Sequence, residues 1–122
     1  MNLPAHPGIN SDCRRVAAIA GAVGDKWMMP VVGVLGAGPR RFNDIRRTVG
    51  GISQQMLTRT LRSLERDGMV TRTVHPTVPP QVEYALSPLG VSLAERMHGL
   101  GAWAHQHLEE IEDHRARFDC AD

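Results

Sequence analysis

The chain has little cysteine and few aromatic residues, with two cysteines and five aromatics among 122 residues. Cys13 and Cys120 match no metal-ligand or C-x-x-C spacing and are too few for a disulfide framework, so we expect a reducing compartment. Contents of 42% hydrophobic and 22% charged residues are ordinary for globular domains, which excludes the collagen-like and disordered classes. The length fits one domain, which a partner subunit would help to stabilise.

A long hydrophobic run is also missing. The most apolar region, Val16 to Leu35, is interrupted by Asp25, Lys26 and Pro30. The N-terminus has no basic segment that is followed by an apolar run. We therefore expect neither a secretion signal nor a membrane span, and we expect the protein to be cytoplasmic.

Motifs of catalysis are missing too. The sequence contains no nucleophile elbow, no phosphate-binding loop and no acid–base pair of carboxylates. His98 and His105 are seven residues apart, as are His107 and His114, but no carboxylate or cysteine completes a metal site with either pair. We therefore expect no enzyme activity, no metal and no cofactor.

Charge is unevenly distributed along the chain, although the net charge is only +1. From Arg40 to Arg72 there are eight arginines and three acidic residues, a balance of +5. From Glu95 to the C-terminus there are seven acidic residues and three arginines, a balance of −4. Such polarity suits a polyanion bound at one end of the molecule, although charged segments often do no more than solvate a surface.

A well-marked helix is predicted between Ser53 and Gly68. The Ser53 hydroxyl can accept from an unpaired amide of the first turn, and Gly68 suits the left-handed conformation that ends many helices. Between them, Leu57, Leu61 and Leu64 recur at helical spacing and predict a buried face. Long polar side chains gather on the opposite face: Gln55, Arg59, Arg62 and Arg66. For an isolated helix, ordinary solvent-exposed surface is an equal alternative for this polar face.

A proline-tipped β-hairpin is predicted to follow this helix. Residues on one side of each strand alternate along the chain: Val70, Arg72 and Val74, then Val82, Tyr84 and Leu86. Three prolines lie in the segment from His75 to Pro80, so we expect a stiff projecting loop. The helix and the hairpin together predict a winged helix-turn-helix, in a fold class that is mainly α with a small β-hairpin (α+β).

The rest of the chain is predicted to support this unit. We expect a flexible arm at residues 1–11, a winged-helix DNA-binding and dimerisation domain at 12–112, and a tail at 113–122. The first helix should begin after a cap at Ser11 or Asp12 and reach about Val23. Its small residues would let another helix approach closely, so we expect it to be packed or to face a dimer partner.

Three further helices are predicted. Trp27 to Leu35 should form a helix with an irregular start or a bent body, because Pro30 lacks an amide proton. A short helix is predicted over Phe42–Val49. The last helix should begin after a cap at Ser87 and kink at its two central glycines. It carries an apolar stripe that requires a partner helix, formed by Leu89, Leu93, Met97, Leu100, Ala104, Leu108 and Ile111.

A set of short segments forms one pattern from about Cys13 to His107. The segments are 24–27 (GDKW), 38–42 (GPRRF), 45–47 (IRR), 51–53 (GIS), 57–58 (LT), 61–62 (LR), 64–65 (LE), 67–68 (DG), 79–80 (PP), 82–84 (VEY) and 89–90 (LG). In this pattern the chain resembles the HxlR-type branch of the MarR-like winged-helix transcription regulators. The resemblance implies a homodimeric DNA-binding regulator. Its first and last helices would form the dimer interface, and the helix after Ser53 would enter the major groove.

The resemblance also implies a mode of regulation. Most relatives obstruct a promoter, so we expect a repressor, and many relatives regulate neighbouring metabolic or detoxification genes. Some sense electrophiles or oxidants through a cysteine near the N-terminus, a position that Cys13 matches. The sequence departs from its relatives at Pro30 and at Arg14, which stands where a proline frequently follows the cysteine.

The candidate functional residues are those that can contact double-stranded DNA. Arginine can pair bidentately with guanine, and glutamine with adenine. The base-reading candidates lie early in the predicted helix: Gln54, Gln55, Thr58, Arg59 and Arg62. Phosphate contacts are expected from Arg40, Arg41, Arg46, Arg47, Ser53 and Arg66. On the hairpin, Arg72 and His75 are expected to meet the minor groove or the backbone, with a simple solvated hairpin as the alternative.

Two interpretations of Cys13 stay open. It lies near a predicted helix N-terminus beside Arg14 and Arg15, and this electropositive setting favours a thiolate that reacts with oxidants or electrophiles. It also shares a side with Val16 and Ala17, which suits a small, buried core residue.

The expected function is that of a sequence-specific DNA-binding transcription regulator, a homodimeric repressor that binds an inverted-repeat operator. The alternative is a winged-helix protein-interaction module that uses the apolar stripe and the hairpin without reading DNA. Duplex binding that is absent or insensitive to salt would favour this alternative. A small-molecule effector would be a further partner, and its identity is unknown from the sequence.

Overall fold

The computed structural model of the protein describes residues 9–121, which form six helices and one small sheet. In chain order the elements are α1 (Ile9–Val23), α2 (Met28–Gly36), β1 (Arg40–Arg41), α3 (Phe42–Val49), α4 (Gln54–Arg66), β2 (Val70–His75), β3 (Gln81–Leu86), α5 (Pro88–Gln106) and α6 (Leu108–Ala121). The sheet has the strand order β1-β3-β2, and both pairings are antiparallel. This architecture confirms the predicted class, mainly α with a small β-hairpin.

The apolar core forms where α2, α3 and α4 meet the sheet and α5. Leu57, Leu61 and Leu64 of α4 are at most 2% exposed, which confirms the buried face that their spacing predicted. The other buried apolar residues of the core are Met28, Val31, Val32, Leu35, Ile45, Ile52, Val70 and Met97. Because burying a leucine side chain stabilises the fold by about 1.5–3 kcal/mol, these contacts hold α4 in one orientation with its polar face outward.

Both ends of α4 are fixed by the residues that were predicted to cap it. The Ser53 hydroxyl accepts a hydrogen bond from the Met56 amide at 3.1 Å. At the other end Gly68 has a φ of +75°, and the amides of Gly68 and Met69 donate to carbonyl groups of the last turn. These two bonds form a Schellman motif, which ends the helix and directs the chain into β2.

The wing is the hairpin of β2 and β3, which pairs Val70 with Leu86 at its base and His75 with Gln81 at its far end. Residues 76–80 connect the two strands, in agreement with the loop that the prolines predicted. The wing therefore projects from the core as a two-stranded ribbon with a five-residue tip.

The first turn of α5 packs directly on the turn between α4 and β2. The Ser87 hydroxyl donates to the Gly68 carbonyl at 2.6 Å and accepts from the Gly90 amide at 3.1 Å, which confirms Ser87 as the predicted cap. The Ser87 amide donates to the Met69 carbonyl at 2.9 Å. A Cβ atom at Gly90 would collide with the Met69 carbonyl oxygen, so this approach requires glycine.

The start of α1 agrees only in part with the prediction. Helical residues begin at Ile9, ahead of the predicted caps Ser11 and Asp12, but Asp12 has non-helical angles (φ −113°, ψ 19°), so α1 is kinked there and its regular part follows Asp12. The helix ends at Val23, as predicted. Of the arm that was predicted at residues 1–11, residues 1–8 lie outside the described part of the chain.

α2 follows α1 after a short turn and accommodates a proline. It begins at Met28, so Pro30 lies in the first turn, where amides have no intrahelical acceptor and a proline costs little. Within residues 9–121, no helix is by itself long and apolar enough to cross a membrane; α1 from Asp12 and α2 meet that criterion only together, as a pair bent by 71°.

The last predicted helix is in fact two helices. α5 runs without interruption through its two central glycines, where we predicted a kink, and the chain leaves helical geometry at His107 (φ −108°, ψ 12°). α6 then begins with two glutamates in its first turn, where carboxylates interact favourably with the helix dipole. Residues 113–121, which we predicted to be a tail, continue α6. The prediction of a single long helix was wrong, because it was made from an apolar spacing that continues across the break.

Candidate nucleic-acid interface

The polar face of α4 forms a surface groove, here called the α4 groove. The predicted DNA-contacting residues that line it are Ser53, Gln55, Thr58, Arg59, Arg62 and Arg66. All six are exposed. Within residues 12–121, the guanidinium groups of Arg59, Arg62 and Arg66 form no ion pair, so they are available to an external acceptor. The helix thus presents several long donors side by side.

Thr58 and Gln54 differ from the other base-reading candidates. The Thr58 hydroxyl donates its hydrogen to the Gln54 carbonyl oxygen at 2.8 Å, so it retains only acceptor capacity toward a base. In the major groove, its partners would then be the amino groups of cytosine and adenine. Gln54 is exposed in the first turn but does not line the α4 groove.

A second surface groove, here called the turn groove, lies between α3 and α4. It is lined by Asn43, Arg46, Arg47, Gly50, Gly51, Ile52 and Ser53. The Arg46 Nε donates to the Ile52 carbonyl oxygen at 3.2 Å, and Arg47 pairs with Asp44 of the same helix. The N-terminus of α4 opens beside Ser53, and such a helix end favours anions. Two arginines and a helix N-terminus suit a backbone phosphate of a nucleic acid.

The wing approaches α4 at Arg72. A cleft between α4 and the wing, here called the wing cleft, is lined by Thr58, Leu61, Arg62, Glu65, Arg72 and Tyr84. His75 lies three residues further along β2, about 10 Å away at the usual strand rise. Its Nε2 is 3.6 Å from the Glu83 Oε1. Arg72 therefore adjoins the polar face of α4, whereas His75 lies beside the projecting loop.

Two of the predicted phosphate-binding residues lie apart from both grooves. Arg40 and Arg41 form β1, a strand that we did not predict, and they pair with Tyr84 and Glu83 of β3. Because β3 separates β1 from β2, the two outer strands are about 10 Å apart. Both arginines are exposed, so any phosphate that they contact lies at the far edge of the sheet.

Several residues that line these grooves were not among the predicted site residues, and two of them, Glu65 and Tyr84, line the wing cleft between α4 and the wing. Glu65 follows Arg62 by three residues, a spacing that places both on one side of the helix and that could have revealed it. The position of Tyr84 depends on how the wing packs against α4, which no local pattern encodes. The Glu65 carboxylate repels phosphate and can accept only from base amino groups.

Cys13 lies on the exposed surface of α1. Cys13 and Cys120 are both free and exposed. Arg15, one of the two expected positive neighbours of Cys13, pairs with Asp12 at 3.3 Å. The single chain therefore does not bury the Cys13 thiol in its core, and one of the charges expected beside it is shared with a carboxylate.

The packed helices α2, α3 and α4, the arginines on the polar face of α4 and the wing define a winged helix-turn-helix protein of the DNA-binding class. A family model described as HxlR-like helix-turn-helix matches residues 22–112. The uncharacterized HTH-type transcriptional regulator YtfH of Escherichia coli is 40% identical over 89 residues, which cover 73% of this chain and 71% of YtfH.

Solved structures are similar over most of the fold. The structure of ytfH from Salmonella typhimurium is 36% identical, with a TM-score of 0.73, and the match covers 85% of this chain and 90% of the ytfH chain. The structure of the redox regulator HypR in its reduced form is 35% identical, with a TM-score of 0.75, and the match covers 81% of this chain and 98% of the HypR chain. This chain therefore belongs to the HxlR-like helix-turn-helix family. It is a MarR-like DNA-binding transcriptional regulator of the HTH type, which confirms the family predicted from its sequence.

Proposed function

We propose that the protein is a homodimeric repressor that reads an inverted-repeat operator with the polar face of α4. The observation that carries this proposal is the row of unpaired guanidinium groups in the α4 groove, held outward by the buried leucines of the same helix. In this proposal residues 12–112 bind DNA and dimerise, and the protein acts in the cytoplasm.

Each part of the interface has its own role in this proposal. The residues that read base edges in the major groove are Gln54, Gln55, Thr58, Arg59 and Arg62, because the early turns of a recognition helix enter deepest. The residues that bind phosphate are Arg40, Arg41, Arg46, Arg47, Ser53 and Arg66. On the wing, Arg72 and His75 contact the backbone or the minor groove beside each half-site.

A second copy of the chain would cover apolar surface on α1, α5 and α6. Met97 of the apolar stripe is buried and Leu93 packs against the core, but other apolar residues of these helices are about half exposed. They are Val16, Ile19, Leu89, Leu100, Trp103 and Leu108. Apolar surface of this extent favours association with a partner. Twofold symmetry then implies an inverted repeat, with half-sites about 34–36 Å apart so that both copies of α4 meet successive major grooves.

The proposed dimer would repress transcription while it is bound to the operator, and its release from the operator would end repression. A dimer bound across a promoter obstructs transcription. The similar protein HypR is a redox regulator, and Cys13 is exposed on α1, one of the helices with uncovered apolar surface. An oxidant such as diamide would join the Cys13 thiol to a second thiol as a disulfide and would itself take up the two hydrogens. The new bond would change how the two copies pack and so change the spacing of the two α4 helices, which releases the operator.

Selection of bound sequences from a random duplex library tests this function. We expect an inverted repeat with half-sites about one helical turn apart. On selected duplexes, log Kd should rise with log salt by about 0.9 for each phosphate contacted, and light scattering should give twice the mass of one chain. Recovery of no motif, or binding that does not respond to salt, would favour the protein-interaction module instead.

A further inference from the structure

The tip of the wing is apolar, although it belongs to the arginine-rich part of the chain. Residues 76–80 are Pro, Thr, Val, Pro and Pro, and none of them carries a charge. Val78 is fully exposed, at 101%. A single exposed valine on a protein surface is ordinary, so its meaning depends on how rigidly and where the chain presents it.

The loop holds Val78 outward. The Thr77 amide donates to the His75 carbonyl at 2.8 Å, and the Thr77 hydroxyl donates to the Pro79 carbonyl at 2.8 Å. Three of the five loop residues are prolines, whose fixed φ angles restrict the chain further. Because the ladder closes directly below, at the pair of His75 and Gln81, the loop cannot fold back onto the sheet to bury the valine.

The greatest reach of the wing beyond α4 is comparable to the spacing of DNA grooves. Arg72 lines the wing cleft beside α4, and Val78 lies six residues further along the chain, a reach of up to about 20 Å at the usual strand rise. In B-DNA a minor groove lies about half a helical turn, or about 17 Å, from the adjacent major groove. With α4 in the major groove, this reach is long enough for the tip to meet the neighbouring minor groove.

The chemistry of the tip limits what it can do in that groove. A minor-groove arm usually reads the negative potential with arginine or lysine, and residues 76–80 have neither. Their methyl groups and proline rings are instead suited to insertion between base pairs, as other apolar wedges insert from the minor groove. Arg72, nearer the base of the wing, supplies a cationic group that would hold the backbone, and the ring of His75, directly beside the loop, offers it a second polar contact.

We propose that Val78 is an apolar wedge that enters the minor groove beside each half-site, partly unstacks one base step and bends the operator. This inference rests on the proposed DNA-reading function and adds a specificity determinant to it. The preferred flanking step would be a flexible pyrimidine–purine step, because such steps are kinked most easily. Sequence preference would thus extend to positions that receive no hydrogen bond.

The test uses selected operator duplexes that carry 2-aminopurine at successive flanking positions and a donor and an acceptor dye at their ends. The wild-type protein should raise the 2-aminopurine fluorescence at one flanking step per half-site and shorten the distance between the dyes. Val78→Ser should abolish both signals and lower operator affinity by roughly tenfold, whereas Val78→Ile should retain them because it keeps an apolar wedge. Urea unfolding should show that both variants are folded.

The outcomes separate this inference from the function on which it rests. If Val78→Ser bends and unstacks the duplex as the wild type does, the wedge is wrong, while loss of operator binding in Arg59→Ala would still support reading by α4. If the wild type binds selected and scrambled duplexes alike, both the function and the wedge are wrong. Equal signals at every labelled position would also overturn the wedge, since it predicts one step per half-site.

Discussion

The Nε atom of Arg46 donates a hydrogen bond to the carbonyl oxygen of Ile52 at 3.2 Å, which ties the C-terminal part of α3 to the residue before the cap of α4. The neighbouring Arg47 instead pairs with Asp44 within α3. Both arginines line the turn groove. These two neighbouring arginines therefore differ in their contacts, because only Arg46 bonds to the segment that leads into α4.

Arg46→Ala and Arg47→Ala should separate these roles. We expect both to weaken binding to cognate and scrambled duplexes alike, because phosphate contacts carry no sequence information. Arg46→Ala should also lower the free energy of unfolding by about 1 kcal/mol through the lost hydrogen bond. Arg47→Ala should change it by less than about 0.5 kcal/mol, since its ion pair is exposed. Fluorescence anisotropy and urea unfolding measure the two effects, and a loss confined to the cognate duplex would contradict the assignment.

Arg59→Ala and Arg62→Ala should act differently from the phosphate-binding variants. Each should weaken binding to the cognate duplex by about 1–3 kcal/mol and relax specificity, because a bidentate contact to a base is lost. Arg66→Ala, further along the same helix, is the matched control and should weaken cognate and scrambled complexes alike. Mobility shifts on both duplexes give the comparison. Equal losses on the two duplexes for all three variants would mean that α4 does not read bases.

Gly90→Ala should destabilise the protein, and Gly99→Ala should not. The new Cβ at position 90 would meet the Met69 carbonyl oxygen, which belongs to the backbone and cannot rotate away, so we expect a loss of about 1–3 kcal/mol or more. At Gly99 nothing lies within 4 Å, and alanine should stabilise α5 by up to about 1 kcal/mol. Urea unfolding at fixed protein concentration measures both. Similar stabilities for the two variants would show that α5 does not approach the turn so closely.

Cys13→Ser should remove the response to oxidants. Diamide should release operator DNA from the wild-type protein, and a reducing agent should restore binding, because the Cys13 thiol is exposed and able to react. Cys120→Ser is the control and should respond as the wild type does. Unchanged operator binding by the diamide-treated wild type would end the sensing proposal.

Helices and strands that are specified by a short stretch of sequence could be predicted. α3 has its predicted bounds, and α4 lies between its predicted cap and stop, because apolar spacing, a serine cap and a glycine with positive φ are all encoded within one short segment. The same spacing identified the polar face of α4, since helical geometry alone decides which side chains share a side. Assignment of those side chains to bases or phosphates stays a prediction.

The features that the sequence did not predict depend on distant contacts or on backbone angles. β1 forms only because Arg40 and Arg41 pair with β3, far along the chain. The break at His107 interrupts a stripe whose spacing continues unchanged across it. At the site, Thr58 already uses its hydroxyl hydrogen on the backbone, which residue type alone does not reveal. Sequence patterns thus identified the polar surface that we propose contacts DNA, but they did not show which of its donors are free.

Methylation protection of guanine N7 by bound protein tests the central claim most directly, since that atom is reached only from the major groove. The account predicts protection in two symmetric patches centred about 10 base pairs apart, with the protected guanine in each patch becoming reactive again in the Arg59→Ala or the Arg62→Ala complex. A complex of full affinity that leaves every guanine N7 reactive would contradict the claim that α4 reads the operator.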